Sequence, residues 1–124
     1  MARQERTYSG AEAAAQLAKL PGWSIADGWL TRKFTTDGWG TTLMLVNAIG
    51  FLAEIADHHP DLAVAWSSVT VKLNTHSAKG ITDKDFELAK KIEEVVHWQP
   101  GKQGGALEGT PENDQRFAYV KYDA

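Results

Sequence analysis

The chain has 124 residues, 43% of them hydrophobic, which suits one buried core and leaves too little for a second. Lys and Arg total 13 against 16 Asp and Glu, a formal net charge of -3 with no basic run, so neither nucleic acid nor an anionic membrane is an expected partner. Cysteine is absent, which excludes disulfides, thiolate nucleophiles and Cys-based zinc sites and leaves His, carboxylates, hydroxyls, Tyr and Lys to carry any chemistry.

Arg3, Glu5 and Arg6 precede an Ala-rich amphipathic stretch without the continuous apolar segment of a secretory signal, so the cytoplasm is the expected compartment. Ser9 followed by Glu12 is the pattern of a capping box opening a helix over Ala11 to Leu20, which Pro21-Gly22 closes. Trp23 to Ile25 and Trp29 to Phe34 flank Ala26-Asp27-Gly28 and predict two antiparallel strands. Asp37 is placed to cap a second helix reaching about Asp57, with Leu45, Ile49, Leu52 and Ala56 on one face. Its apolar stretch, Leu43 to Ala56, is interrupted by Asn47 and Glu54 and falls short of the ~20 apolar residues of a membrane span, so it reads as a buried helix. Pro60 restricts His59 to extended backbone and should end the helix at or before the histidine pair.

Leu62 to Trp66, a turn at Ser67-Ser68, and the alternation from Val69 to His76 predict a second hairpin whose last strand ends at His76. Thr82 with Asp85 opens a third helix with Leu88, Ile92 and Val95 buried. The fold class is therefore α+β, ordered αββαββα, with a four-stranded antiparallel sheet packed by helices over residues 1–99. Residues 100–124 shift to Gly, Pro, Gln and Asn and form an extension with a candidate strand at 117–122.

Three of the four histidines, His58, His59 and His76, lie within nineteen residues and beside predicted element ends, where side chains can converge on a ligand. Singly, each also fits a helix-end or solvated strand-end residue. Glu54 precedes His58 by four residues on the same helical face, and with the negative helix end it favours a protonated, oriented imidazole, a candidate general acid. A zinc site is disfavoured, because adjacent histidines diverge and the helical i,i+4 His pair is missing. Ser77 beside His76 lacks the Gly-framed turn of a serine nucleophile.

The run Glu54-x-x-Asp57-His58-His59-Pro60-Asp61, then Trp66, then Leu73-Asn74-Thr75-His76, then Asp85 resembles the signature of the pterin-4a-carbinolamine dehydratases. Five residues separate Pro60 from Trp66, nine separate Trp66 from His76 and eight separate His76 from Asp85, as in that pattern. The resemblance runs from about Ser9 to Trp98. Leu62 and Val64 depart from it, standing where an aromatic and a small polar residue are common.

The resemblance implies dehydration of 4a-hydroxytetrahydropterin to quinonoid dihydropterin in tetrahydrobiopterin recycling, with neither metal nor cofactor. It assigns His59 to pterin binding and catalysis, and His58 and His76 to the pair flanking the 4a-hydroxyl, with the acceptor of the N5 proton left open. Asp57-His58-His59 and Asn74-Thr75-His76-Ser77 match the two pterin-contacting strips, and Asp85 matches the last signature residue while fitting a helix cap equally well. It also implies a homodimer or homotetramer. The alternative is a binding role on the same scaffold, as a dimerisation cofactor of a transcription factor or a Rubisco assembly chaperone with a protein client. The intact His58, His59 and His76 favour the enzyme.

Overall fold

The computed structural model describes residues 6–110, so the candidate strand at 117–122 lies outside the described residues. Helix α1 (Gly10–Leu17) leads into β1 (Ser24–Ala26) and β2 (Trp29–Thr35), then α2 (Trp39–Ala56), β3 (Asp61–Ala65), β4 (Ser68–Leu73) and α3 (Asp83–Val96). The strands form one four-stranded antiparallel sheet in the order β1-β2-β4-β3. This is the α+β architecture and element order that the sequence patterns predict.

The core comes from period-two burial on the central strands. Leu30 and Phe34 of β2 lie opposite Leu73 and Val69 of β4, all fully or almost fully buried. Ile49 of α2 and Leu88, Ala89 and Ile92 of α3 close over that face. The α3 stripe continues to Val96, whereas Val95, the expected position, is exposed: after Leu88 and Ile92 the 3.6-residue period brings the next inward position to 96. In α2, Leu45, Ile49 and Ala53 are buried, while Ala56 is exposed because the helix ends there. The opposite face of α2 carries exposed Met44, Phe51 and Ile55, so the helix is half covered and not buried on all sides. By length and composition alone α2 is apolar enough to cross a membrane.

Turn chemistry departs from expectation at three points. Asp37 does not cap α2; the cap position is Gly38, and the Thr36 and Thr42 hydroxyls lie 2.7 Å apart with the Gly38 carbonyl within hydrogen-bonding distance of both. The β3–β4 turn is Trp66-Ser67, one residue earlier than Ser67-Ser68, because the Thr42 hydroxyl donates to the Trp66 carbonyl and the indole packs on Gly38. Strand β4 stops at Leu73, short of His76, since Thr75 turns to pair with Gly80 and His76–Ala78 winds into a 3-10 turn. The first hairpin forms as predicted, but Ala26 belongs to β1 and pairs with Trp29, which leaves Asp27 and Gly28, both at positive φ (52° and 82°), as a two-residue type I′ turn.

Arg32 brings a charge into the core. Arg32, between Leu30 and Phe34 on the inward face of β2, meets the Glu93 carboxylate at 3.2 Å and lies over the Phe34 ring at 4.9 Å. Glu93 also accepts from the Trp23 indole and bonds His97, each at 2.6 Å. Removing one partner of such a pair strands the other charge, so the cluster constrains how α3 docks on the sheet. Its guanidinium lies against Gly22, where an added Cβ would come within 1.6 Å of it.

Two measurements check these local arguments. Gly22 (φ +88°) and Gly28 (φ +82°) share a left-handed backbone, but nothing lies within 4 Å of a Cβ at Gly28. Gly22→Ala is therefore expected to lower stability by more than about 1 kcal/mol in thermal or urea melts, and by clearly more than Gly28→Ala. At α1, the Ser9 backbone N–H and Arg6 hold the Glu12 carboxyl down to about 2 from its ordinary 4.5. The capping box is then complete above pH 4.5 and is lost as pH falls toward 2. Carboxyl NMR of Glu12 should give a midpoint near 2; an ordinary midpoint shows that the box is not formed in solution.

Candidate active site

Helix α2 ends at Asp57, which takes the left-handed conformation (φ 50°, ψ 43°). The Asp57 N–H returns to the Glu54 carbonyl and the His58 N–H to the Ala53 carbonyl, the paired bonds of a Schellman end. Glycine is the usual residue at such a position, and Asp is among the few others that tolerate it. His58 and His59 thus leave the helix on extended backbone leading to Pro60, and their side chains part.

His58 turns inward and retains 12% of its side-chain exposure; its Nε2 lies 2.6 Å from Oδ1 of Asp85. Asp85 belongs to the first turn of α3 and is completely buried. Its other oxygen, Oδ2, accepts from the Thr75 hydroxyl at 2.8 Å and from the Thr82 backbone N–H at 2.9 Å. The sequence left Asp85 open between helix cap and site residue; one of its oxygens completes the capping box with Thr82 and the other holds His58. Each buried oxygen of the carboxylate is satisfied, the condition for keeping such a group away from water.

His59 turns outward with 54% exposure, and its Nε2 meets Glu54 Oε1 at 2.6 Å. This corrects the expected pairing of Glu54 with His58. The i,i+4 relation requires helical backbone, and the left-handed step at Asp57 rotates His58 away and brings His59 round to the carboxylate. Because Glu54 is itself 78% exposed, the pair is a surface contact, worth at most about 1 kcal/mol and screened by salt.

The second strip follows β4. Asn74 is held by its amide, which donates to the Gly28 carbonyl in the β1–β2 turn at 2.9 Å. Thr75 is buried and its hydroxyl is committed to Asp85, so among its polar groups the side chain faces the protein interior. His76 and Ser77 are exposed on the 3-10 turn, and the His76 ring stands edge-on to Trp29 at a centroid distance of 5.9 Å. Lys72 lies over the Trp29 ring at 4.9 Å. Asp57 is exposed at the helix end.

Sequence reasoning missed two contributors. Thr82 was read only as a helix cap, although its hydroxyl bonds Thr75 at 2.7 Å behind the site; the cap signal was legible, its second partner was not. Trp29 was read as a strand residue, and its contact with His76 depends on β2 and β4 being neighbours, which no local pattern reveals. Among the described residues no group of three or more His, Cys, Asp or Glu side chains is placed to hold a metal ion.

Residues 6–95 match the family model described as pterin 4 alpha carbinolamine dehydratase. A provisionally named pterin-4-alpha-carbinolamine dehydratase of Aquifex aeolicus is 46% identical over 91 residues, covering 73% of this chain and 92% of that protein. A similarly named protein of Thermosynechococcus vestitus is 45% identical over 88 residues, covering 71% of this chain and 93% of its own length. Among solved structures, a transcriptional coactivator/pterin dehydratase from Brucella melitensis superposes with a TM-score of 0.69 at 30% identity, covering 73% of this chain and 98% of its own. The chain belongs to the pterin 4 alpha carbinolamine dehydratase family.

Proposed function

We propose that this protein dehydrates a 4a-hydroxytetrahydropterin to the quinonoid dihydropterin by histidine acid–base catalysis. The observation that carries the reading is His58, whose Nε2 is engaged by a buried carboxylate while its Nδ1 has no hydrogen-bond partner among the described residues. An imidazole anchored through one nitrogen presents the other in a defined direction, as proton transfer to a bound substrate requires.

In the reaction the N5–H proton passes to one imidazole and its bonding electrons form the C4a=N5 double bond. The C4a–O bond breaks, and its electron pair leaves with the hydroxyl oxygen, which a second imidazole protonates to water. Proton uptake and release balance, so no oxidant or reductant is required. His58 and His76 serve as the pair at the hydroxyl, and exposed His59, steered by Glu54, serves at the pterin. The backbone around Asp57 and from Asn74 to Ser77 reads the ring edge.

The partner reading is a second copy of the chain. Met44, Phe51 and Ile55, spaced by seven and four residues, give α2 an apolar outward stripe with exposures of 61%, 64% and 70%. A homodimer or homotetramer covers that stripe. The coactivator half of the Brucella melitensis protein's name supports a second reading in which the same surface receives a different protein.

The following outcomes are expected. Purified protein turns over the carbinolamine, and His59→Ala lowers turnover by about a hundredfold or more. The melting temperature of that variant stays within a few degrees, because an imidazole with 54% exposure contributes little packing. A large drop in melting temperature with activity retained overturns the role of His59, and an inactive wild type favours the binding reading. Activity survives exhaustive chelation; loss that zinc reverses overturns metal-free chemistry. Phe51→Glu lowers the mass seen in sedimentation, whereas an unchanged mass excludes the α2 stripe from the assembly.

A further inference from the structure

The hydrogen bonds behind Asp85 have a direction. The Thr75 hydroxyl has one proton, and it points to Asp85 Oδ2 at 2.8 Å. The 2.7 Å contact between the Thr75 and Thr82 hydroxyls must then be donated by Thr82. Thr82 Oγ1 in turn accepts from the Lys84 backbone N–H at 3.2 Å. Protons therefore run one way, from the first turn of α3 through Thr82 and Thr75 to the carboxylate. With Oδ2 filled by Thr75 and by the Thr82 N–H, Oδ1 remains for His58, and an oxygen that only accepts requires a proton on His58 Nε2.

The geometry points to Thr75 and Thr82 as positioning residues: their hydroxyls form a one-way relay that fixes Asp85 and through it holds neutral His58 as the Nε2–H tautomer, with Nδ1 free to accept a proton. Both threonines are buried, at 3% and 2% exposure, and neither side chain can touch a substrate directly. Chains of this kind polarise each member in the same sense, so the last hydrogen bond, onto Asp85, gains most from those behind it. The relay also explains why two hydroxyls occupy core positions where valine has the same shape.

The inference rests on the dehydratase reading for its kinetic arm alone; its spectroscopic arm is independent of any substrate. In full-length protein labelled with ¹⁵N-histidine and titrated until the ring is neutral, His58 should give the shifts of an Nε2–H, Nδ1-acceptor imidazole. An Nδ1–H ring overturns the proposal even if the protein proves an active dehydratase. Thr75→Val should leave His58 as a mixture of tautomers and lower kcat by about tenfold or more with KM little changed, and Thr75→Ser should restore both. Thr82→Val should move the same signals in the same direction. A His58 signal unchanged in both valine variants overturns the relay. Should the valine variants fail to fold, the wild type still decides it: the Thr75 and Thr82 hydroxyl protons are expected as slowly exchanging resonances, and exchange at the rate of an exposed threonine refutes the relay. If the wild type is inactive on pterins while His58 shows the Nε2–H form and the relay signals behave as described, the functional reading fails and this inference stands.

Discussion

The buried carboxylate of Asp85 is the joint on which the rest of the arrangement depends. It belongs to the first turn of α3, yet it receives groups from the end of α2 and from the chain just after β4. A charge this deep is tolerated only when its oxygens are filled by donors. The three partners that fill them therefore have to arrive together, and their arrival fixes the spacing between the two helices and the sheet. The cap of one helix and the orientation of His58 are the same set of bonds.

A second charged group has a comparable role at the other end of α3. Arg32 and Glu93, with Trp23 and His97 around them, tie the last turns of that helix to the inner face of β2 and to the entry of β1. The helix is thus held at both ends by polar contacts and along its middle by Leu88, Ala89 and Ile92. Hydrophobic packing alone tolerates small slides of a helix over a sheet; two ionic anchors of fixed geometry do not. That restraint keeps Asp85 in reach of His58 at hydrogen-bonding distance.

Much of this was legible in the sequence. Local signals, the Ser9/Glu12 and Thr82/Asp85 boxes and the alternation in β2 and β4, set the elements and their order. The signature spacing from Glu54 to Asp85 led to the family, and the match over residues 6–95 shows it. What stayed hidden was long-range. The partner of Glu54 was misread because a left-handed residue at Asp57 breaks helical periodicity, and only the backbone reveals it. The β3–β4 turn was displaced by one residue because Ser-Ser has turn composition, whereas the Thr42 bond to the Trp66 carbonyl spans 24 positions. The cap at Asp37 lost to a threonine pair for the same reason: a good local candidate was outbid by contacts that exist only in the folded chain.

The left-handed step at Asp57 also separates two adjacent histidines by physical environment. Because extended backbone throws successive side chains to opposite sides, His58 is clamped in the interior and His59 stands in solvent. An exposed ring reorients in picoseconds to nanoseconds, while a clamped one moves only when α3 itself shifts, many orders of magnitude more slowly. Two covalent neighbours of identical chemistry thereby operate on different clocks: one behaves as part of the scaffold and the other as part of the solvent boundary.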